Sequence, residues 1–196
     1  MRLQLLRPVE IPRQEMLRYV RCHSEAGLET VVDQAIRQIK TVMEPKAAAV
    51  CFTLNRRREG LYMADSLLPG NAVQKHLEGC GRCWLLGVTL GFGVDRAIAA
   101  AGQVTPSLAL LLDAAATAAV EDLADAACEA LAAGGGQLTG RFSAGYGDLP
   151  LELQPLLLDM LHAQQDLGMT TGPSLLLSPI KSVTALVGVR GKDPMI

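Results

Sequence analysis

A chain of 196 residues, 49% hydrophobic and 19% charged, has enough apolar side chains to bury a substantial core, which excludes disorder as its main state. Its net charge of −2 argues against nucleic-acid binding by phosphate neutralisation. The most apolar stretch, residues 107–120, is shorter than a membrane-spanning helix and carries Asp113. Five cysteines without a regular framework suit a reducing compartment. We therefore expect one soluble, cytoplasmic domain over residues 1–196, with no membrane or nucleic-acid partner.

The N-terminal third is predicted to be helical and to lead into a strand. Apolar residues recur at spacings of three and four over residues 13–20 and 27–43, and Pro45 ends the second helix. Residues 47–54 are rich in strand formers. The basic stretch NRRREG that follows is typical of a turn.

The middle of the chain contains the clearest predicted element, a long helix over residues 105–133. Leucines and alanines line one face of this helix, and GGG at 134–136 ends it. A buried strand is predicted before it at residues 83–91, followed by a shorter helix at 94–102.

The C-terminal part is predicted to begin with a strand that leads into residues 141–148. A helix over residues 151–165 follows, with a bend at Pro155, and then two strands joined at Pro179. Helices and strands are mixed without regular βαβ alternation. This order favours an α+β fold over a doubly wound sheet.

Motifs for metals, nucleotides and nucleophilic catalysis are weak. The pair Cys80-x-x-Cys83 has no partner pair, and two buried side chains at the start of a strand explain it more simply, although its role stays open. The glycines of GVTLGFGVD lack the G-x-G-x-x-G spacing, and no P-loop, G-x-S-x-G or H-E-x-x-H pattern occurs. We predict no metal site and no catalytic residue.

A polar row recurs every four residues on the long helix, formed by Asp113, Thr117, Glu121 and Asp125. One interpretation is a face exposed to solvent. The other is an acidic wall that attracts a ligand with an ammonium or sulfonium centre. The residues alone leave both open.

The stretch RFSAGYGDLP combines groups that suit a small zwitterionic ligand. Arg141 can hold a carboxylate through two parallel hydrogen bonds, and Tyr146 offers a ring for stacking. Gly145 and Gly147 allow positive φ or a close approach of the backbone. S-adenosylmethionine has a carboxylate, a cationic centre and an aromatic base. The alternative, which the residues alone favour, is a turn whose arginine pairs with Asp148 or another carboxylate.

The segment RFSAGYGDLPLELQ resembles the R-x-S-P-G-Y-G-D-x-P-L-E-x-Q motif of stand-alone proteins related to the reactivation domain of cobalamin-dependent methionine synthase. Further segments resemble this family in the same order: MLRYVRCHSEAGLETVVDQAI, VMEPKAAAVCFTL, KHLEGCGRCWLLGVTLGFGVDRAI and LGMTTGPSLLLSPIKSVTALVGV. The resemblance therefore covers nearly the whole chain.

The resemblance implies an S-adenosylmethionine-binding domain with an α+β fold, a bent antiparallel sheet and flanking helices. Such a domain supports the reductive methylation of cob(II)alamin to methylcobalamin. Cobalamin is carried by the partner, a corrinoid-bearing methionine synthase that lacks its own reactivation domain. The electron comes from a flavodoxin-like or other low-potential donor. The chain would then be an accessory subunit of a methyltransferase, since it has no D-x-H-x-x-G motif and no homocysteine or folate module.

The resemblance also implies roles for particular residues. Arg141 matches the arginine that holds the ligand's carboxylate, and Ser143 matches a position whose backbone carbonyl contacts the ligand. Gly145, Tyr146 and Gly147 match the G-Y-G turn, with the tyrosine near the adenosyl part. Glu121 matches the acidic helix residue that faces the cationic end of the ligand in the family.

Three departures from the family pattern motivate alternatives. Ala144 replaces a proline, Gly172-Pro173 replaces Thr-Glu, and Gly135 stands where the long enzymes carry a glutamate. One alternative is a non-catalytic regulatory or docking module for a corrinoid protein, without the S-adenosylmethionine site. Another is a reactivator of a different corrinoid methyltransferase.

Overall fold

The computed structural model describes residues 1–21 and 27–191. Its helices are α1 (Arg13–Tyr19), α2 (Glu29–Val42), α3 (Asn71–His76), α4 (Phe92–Val104), α5 (Pro106–Ala132), α6 (Gln154–Met160) and α7 (Ala163–Leu167), with a 3₁₀ turn at Leu151–Leu153. Its strands are β1 (Lys46–Arg57), β2 (Gly60–Met63), β3 (Ser66–Leu68), β4 (Cys80–Thr89), β5 (Gln137–Leu138), β6 (Thr170–Thr171), β7 (Leu177–Ser178) and β8 (Ser182–Arg190).

A six-stranded sheet in the order β3-β2-β1-β4-β8-β5 forms the centre of the fold. Every strand pairing in the described ranges is antiparallel, including the separate pair β6–β7. Helices and antiparallel strands are therefore combined as predicted, and the α+β class is confirmed. No helix within residues 1–21 and 27–191 has the length and apolar character needed to cross a membrane.

The long helix α5 packs across one face of the sheet. Pro106 occupies its first turn, where a missing N–H costs no hydrogen bond, and the chain leaves the helix at the glycines from 134 onward. Alanines such as Ala115 and Ala119 are fully buried, so the helix lies close to the sheet and to α1 and α2. Apolar residues from β1, β4 and β8 complete this first core.

The short helices α6 and α7 pack on the other face of the sheet, over β1 and β4, and bury a second core there. They are separated at His162, which has a positive φ of 55°. The predicted bend at Pro155 is therefore wrong: this proline lies in the first turn of α6, where it interrupts no helical hydrogen bond. The break at His162 brings both Leu161 and Leu167 onto Gly87 of β4.

The remaining predicted elements are found with small shifts. Strand β1 extends beyond the predicted residues 47–54 as far as Arg57. Only Arg58 and Glu59 of NRRREG, the stretch predicted as a turn, therefore lie between β1 and β2. The strand predicted before residue 141 is only two residues long, at β5. The two strands predicted around Pro179 are β7 and β8.

Candidate functional site

An extended segment carries Arg141 along the outer edge of β8. The backbone N–H of Thr139 donates to the carbonyl of Gly188 (2.9 Å), and Phe142 exchanges two backbone hydrogen bonds with Leu186 (3.0 and 2.8 Å). Because side chains alternate in extended backbone, Arg141 and Phe142 point to opposite sides. Arg141 thus faces α5, while Phe142 packs in the second core.

The guanidinium of Arg141 bridges two carboxylates of α5. It donates to Glu121 (2.6 Å) and to Asp125 (2.5 Å), and its side chain is 23% exposed. Burial lowers the pKa of Arg141, but the hydrogen bond to Asp125 and the charges of both acids outweigh this, so its pKa lies above the ordinary value. Two of its five N–H groups are used in these bonds.

A second cation meets the same row of α5 about two turns earlier. The ammonium of Lys181 lies 2.8 Å from Asp113 and donates to the hydroxyl of Thr117 (2.8 Å). The side chain of Lys181 is largely buried, with 12% exposed. The predicted polar row is therefore neither a plain solvated face nor an unoccupied acidic wall, because cations from two distant segments lie along it.

The turn after Arg141 depends on two glycines with positive φ. Gly145 has φ 86° and Gly147 has φ 58°, values that residues with a Cβ rarely adopt. The N–H of Gly145 donates to the carbonyl of Leu149 (2.8 Å), and that of Tyr146 donates to the carbonyl of Ser143 (3.1 Å). The Ser143 carbonyl still has a second lone pair for another donor.

A groove of about 370 Å³ opens beside this turn. We call it the Tyr146 groove. Its walls come from the turn, from the start of the following helix, from the 175–180 loop and from the first residues of β8: Ser143, Ala144, Tyr146, Leu151, Gln154, Leu175, Leu176, Leu177, Ile180, Ser182, Val183 and Thr184. Three of these side chains are prominent at its rim: Tyr146 is 60% exposed, Leu176 66% and Ile180 71%.

The floor of the groove contains a buried polar pair. The amide nitrogen of Gln154 donates to the hydroxyl of Thr184 (2.6 Å), and both residues are almost completely buried. Leu175 in the opposite wall has a φ of 62°, which is unusual for a bulky residue. Backbone strain of this kind is concentrated at sites that bind ligands.

The structure brings the predicted residues together in two groups. Arg141 and Glu121 form a direct ion pair beside α5, whereas Ser143 and Tyr146 line the Tyr146 groove. Gly145 and Gly147 shape the turn between them. Arg141 is not among the residues that line the groove.

The positions at which the chain departs from the family pattern lie in loops. Gly135 has a φ of 97° in the turn after α5, and a Cβ there would meet no atom within 4 Å. Gly172 and Pro173 are exposed between β6 and β7. Ala144, in contrast, is buried in the second core.

Sequence reasoning missed Lys181 and the apolar wall of the 175–180 loop. Both lie in the closing segment that carries part of the resemblance, but neither has a residue pattern typical of a binding site. Their place follows from long-range packing: the backbone N–H of Ile180 donates to Asp95 (2.8 Å) in α4, and Lys181 reaches α5.

The two cysteines of the C-x-x-C pair lie in the second core. Cys80 and Cys83 are buried, and they are not joined by a disulfide. Burial raises the pKa of the Cys83 thiol to about 12. A thiol with this pKa is neither a good nucleophile nor a good metal ligand, because both roles need the thiolate.

The fold and the groove define an α+β domain with a groove of about 370 Å³ between the Tyr146 turn and the start of β8. No family model and no curated protein matches the sequence. Among solved structures, the chain is similar to the crystal structure of the MetH reactivation domain bound to AdoHcy, with a TM-score of 0.62 over 91% of this chain and 70% of that one. The identity is 14%, so the likeness establishes the fold. The chain thus has the fold of the reactivation domain, as the resemblance of its sequence implied.

Proposed function

We propose that residues 1–196 form one S-adenosylmethionine-binding domain that supports the reductive methylation of cob(II)alamin to methylcobalamin. The cobalamin would be carried by a separate methionine synthase in the cytoplasm, and the electron would come from a flavodoxin-like or similar donor. The observation that carries this proposal is the Tyr146 groove, which lies beside the Arg141 segment in a chain with the reactivation-domain fold.

The size and lining of the groove fit the nucleoside part of S-adenosylmethionine. A volume of about 370 Å³ falls in the ordinary range for small-molecule sites, and mostly apolar walls favour a flat heterocycle. The ring of Tyr146 supplies a face for stacking. The carbonyl of Ser143 and the hydroxyl of Ser182, which donates to Thr89 (2.8 Å) and can still accept, are polar groups that would fix the orientation of a sugar or base.

The acidic row of α5 fits the other end of the same ligand. Arg141 keeps N–H groups beyond those bonded to Glu121 and Asp125, and these can hold a carboxylate. The three carboxylates of the row, Asp113, Glu121 and Asp125, exceed its two cations, Arg141 and Lys181, by one charge, and this remaining negative charge attracts the cationic end of the donor. The corrinoid of the partner supplies the centre that accepts the methyl group. The chain itself binds and orients the donor and excludes water from it, and it needs no general base.

The decisive experiment is a calorimetric titration of the full chain with S-adenosylmethionine and S-adenosylhomocysteine. Tyr146→Ala is expected to weaken binding about tenfold through the loss of stacking, and Tyr146→Phe is expected to retain most of the affinity. Tyr19→Ala is the matched control, because Tyr19 is 40% exposed but does not line the groove. Failure of the wild-type chain to bind either compound, with its circular dichroism unchanged, would overturn the proposal.

A docking module without this ligand is the second candidate. It is favoured by one observation: Arg141 already bonds two carboxylates of its own chain. Under this candidate the chain binds a corrinoid protein with equal affinity whether or not S-adenosylmethionine is present. Sedimentation of the two proteins with and without the nucleoside distinguishes the candidates.

The identity of the client is a separate question. Reconstitution with corrinoid proteins of different methyltransferases, scored by the spectral change from cob(II)alamin to methylcobalamin, tests whether methionine synthase is the partner. Conversion with another corrinoid protein but not with methionine synthase would assign the chain to that other client.

A further inference from the structure

The short helix α3 contacts both ends of the loop that carries Arg141 and Tyr146. At the far end of the loop, the carboxylate of Asp148 accepts hydrogen bonds from the backbone N–H groups of Asn71 (2.7 Å) and Ala72 (2.9 Å). These N–H groups belong to the first turn of α3, where no helical carbonyl is available to them. Asp148 therefore caps the helix from a position remote in sequence.

The contact between the turn and α3 is close enough to restrict both backbones. A Cβ on Gly70 would lie 2.5 Å from Oδ1 of Asp148, and a Cβ on Gly147 would lie 2.7 Å from the Cβ of Ala72. Hydrogen bonds from the backbone of Ala72 and then Asn71 hold the pKa of Asp148 below its usual range. The carboxylate thus stays charged and bonded at neutral pH.

The near end of the loop is held by the last residue of α3. Nε2 of His76 lies 2.9 Å from the carbonyl of Gly140, the residue just before Arg141. In the tautomer with the proton on Nε2, this nitrogen donates to the carbonyl of Gly140, because a carbonyl only accepts, and the hydroxyl of Thr139, 3.1 Å from the same nitrogen, does not donate to it. The His76 ring also packs on Phe142, with centroids 4.9 Å apart, and Phe142 meets Tyr146 edge-on at 6.1 Å.

We propose that α3 is the positioning element of the ligand site. Asp148 and His76, neither of which lines the Tyr146 groove, hold residues 140–148 in one conformation. This conformation directs Arg141 toward α5 and places Tyr146 at the groove. The inference rests on the proposed S-adenosylmethionine site for its effect on affinity, but the restraint on the loop is independent of any ligand.

This role also explains the aspartate of the G-Y-G-D stretch. The sequence suggested Asp148 or another carboxylate as a partner for the arginine, and Arg141 bonds two other carboxylates, Glu121 and Asp125. The aspartate is needed two residues after Tyr146 because this spacing brings its carboxylate to α3. An asparagine retains one acceptor oxygen, whereas an alanine retains none.

The first test measures S-adenosylmethionine affinity by calorimetry. Asp148→Ala removes both hydrogen bonds to α3 and is expected to raise the Kd about tenfold. Asp148→Asn is expected to raise the Kd by less, since its single amide oxygen still accepts one hydrogen bond, although without the charge of the carboxylate. Likewise His76→Leu is expected to weaken binding, and His76→Gln to restore part of it through its amide N–H. Rescue by the conservative variants separates a positioning role from general destabilisation.

The matched control is Asp122→Ala. The carboxylate of Asp122 also accepts a backbone N–H, that of Glu10 (2.7 Å), and it pairs with Arg7 (2.8 Å) on a different face of α5 from Glu121. Its loss is expected to lower the thermal midpoint and to leave the Kd unchanged. Equal weakening by Asp122→Ala and Asp148→Ala would overturn the inference.

The second test needs no ligand and measures hydrogen exchange of the amides of Gly145, Tyr146 and Leu149, which bond within the loop. Asp148→Ala is expected to accelerate their exchange at least tenfold more than Asp122→Ala does. Unchanged exchange overturns the inference, whatever the affinity. If the wild-type chain does not bind S-adenosylmethionine, the proposed function fails, and the exchange rates alone decide whether α3 restrains the loop.

Discussion

The guanidinium of Arg141 lies 2.6 Å from the carboxylate of Glu121 on the long helix, twenty residues earlier in the chain. Asp125, one turn further along the helix, shares the same guanidinium. The pair of acids is therefore neutralised by a group that belongs to the candidate ligand loop. Loss of this arginine has consequences for the helix as well as for the ligand.

Arg141→Ala is expected to lower the free energy of unfolding, because Glu121 and Asp125 then repel each other. The expected loss is about 1 kcal/mol or less, since the ion pairs of Arg141 with these acids are partly exposed. Urea unfolding at low and high salt measures this loss, which salt screens. Arg141→Lys keeps the charge and is expected to recover stability but not ligand affinity, since it lacks the planar fork. A loss of equal size at both salt concentrations would contradict the electrostatic explanation.

The second prediction concerns the contribution of the buried hydrogen bond between Gln154 and Thr184 to the free energy of unfolding. Thr184→Val leaves the Gln154 amide without its partner and is expected to cost about 1–3 kcal/mol in the free energy of unfolding. The double variant Gln154→Leu with Thr184→Val removes both polar groups and is expected to recover part of that loss. Urea unfolding of Thr184→Val, Gln154→Leu and the double variant tests this. An additive loss in the double variant is the contradicting result.

Gly87 in β4 is predicted to tolerate no larger residue. A Cβ at this position would lie 2.3 Å from Cδ2 of Leu161 and 2.9 Å from Cδ1 of Leu167. Gly87→Ala is therefore expected to destabilise the protein by about 1–3 kcal/mol through overpacking. Gly81→Ala is the control, because a Cβ at Gly81 of the same strand meets no atom within 4 Å. Equal chemical-denaturation midpoints for the two variants would refute the prediction.

The buried thiol of Cys83 predicts a loss of stability at alkaline pH. Burial raises its pKa to about 12 in the folded state, whereas an unfolded thiol titrates near 8.5. The unfolded state therefore loses its proton first, and stability falls as the pH rises from about 8.5 towards 12. Thermal midpoints measured over this range are expected to fall more steeply in the wild type than in Cys83→Ala. Parallel pH profiles would show that this thiol does not contribute.

The sequence predicted the elements whose evidence is local. The long helix carries an apolar periodicity, a proline in its first turn and glycines after its end, and α5 is found over Pro106–Ala132. The break at His162 was not predicted, because it goes with the packing of two leucines on Gly87, in a strand far away in sequence. The order of helices and strands was sufficient to predict the α+β class.

The candidate site shows the same division. Residues of the G-Y-G turn were identifiable because they are contiguous and chemically unusual. Lys181 and the anchoring of Asp148 on α3 were not, because each depends on two segments that meet only in the folded chain. The polar row on α5 could be identified from the sequence, but its pairing with Arg141 and Lys181 could not.

The outer edge of β8 has a consequence for recognition. In antiparallel pairing, alternate residues direct their main-chain groups to opposite neighbours. On β8, Leu186 and Gly188 direct their main-chain groups away from β4, toward the segment that contains Thr139 and Phe142. Thr184 is the next residue with this orientation, and it lies in the wall of the Tyr146 groove. The described part of the chain provides no pairing strand for β8 at this point. Under the proposed function, a planar base bound in the groove would meet the backbone amide and carbonyl of Thr184 there. Hydrogen bonds to the main chain do not depend on the side chains, so a contact of this kind cannot be recognised from the amino-acid sequence.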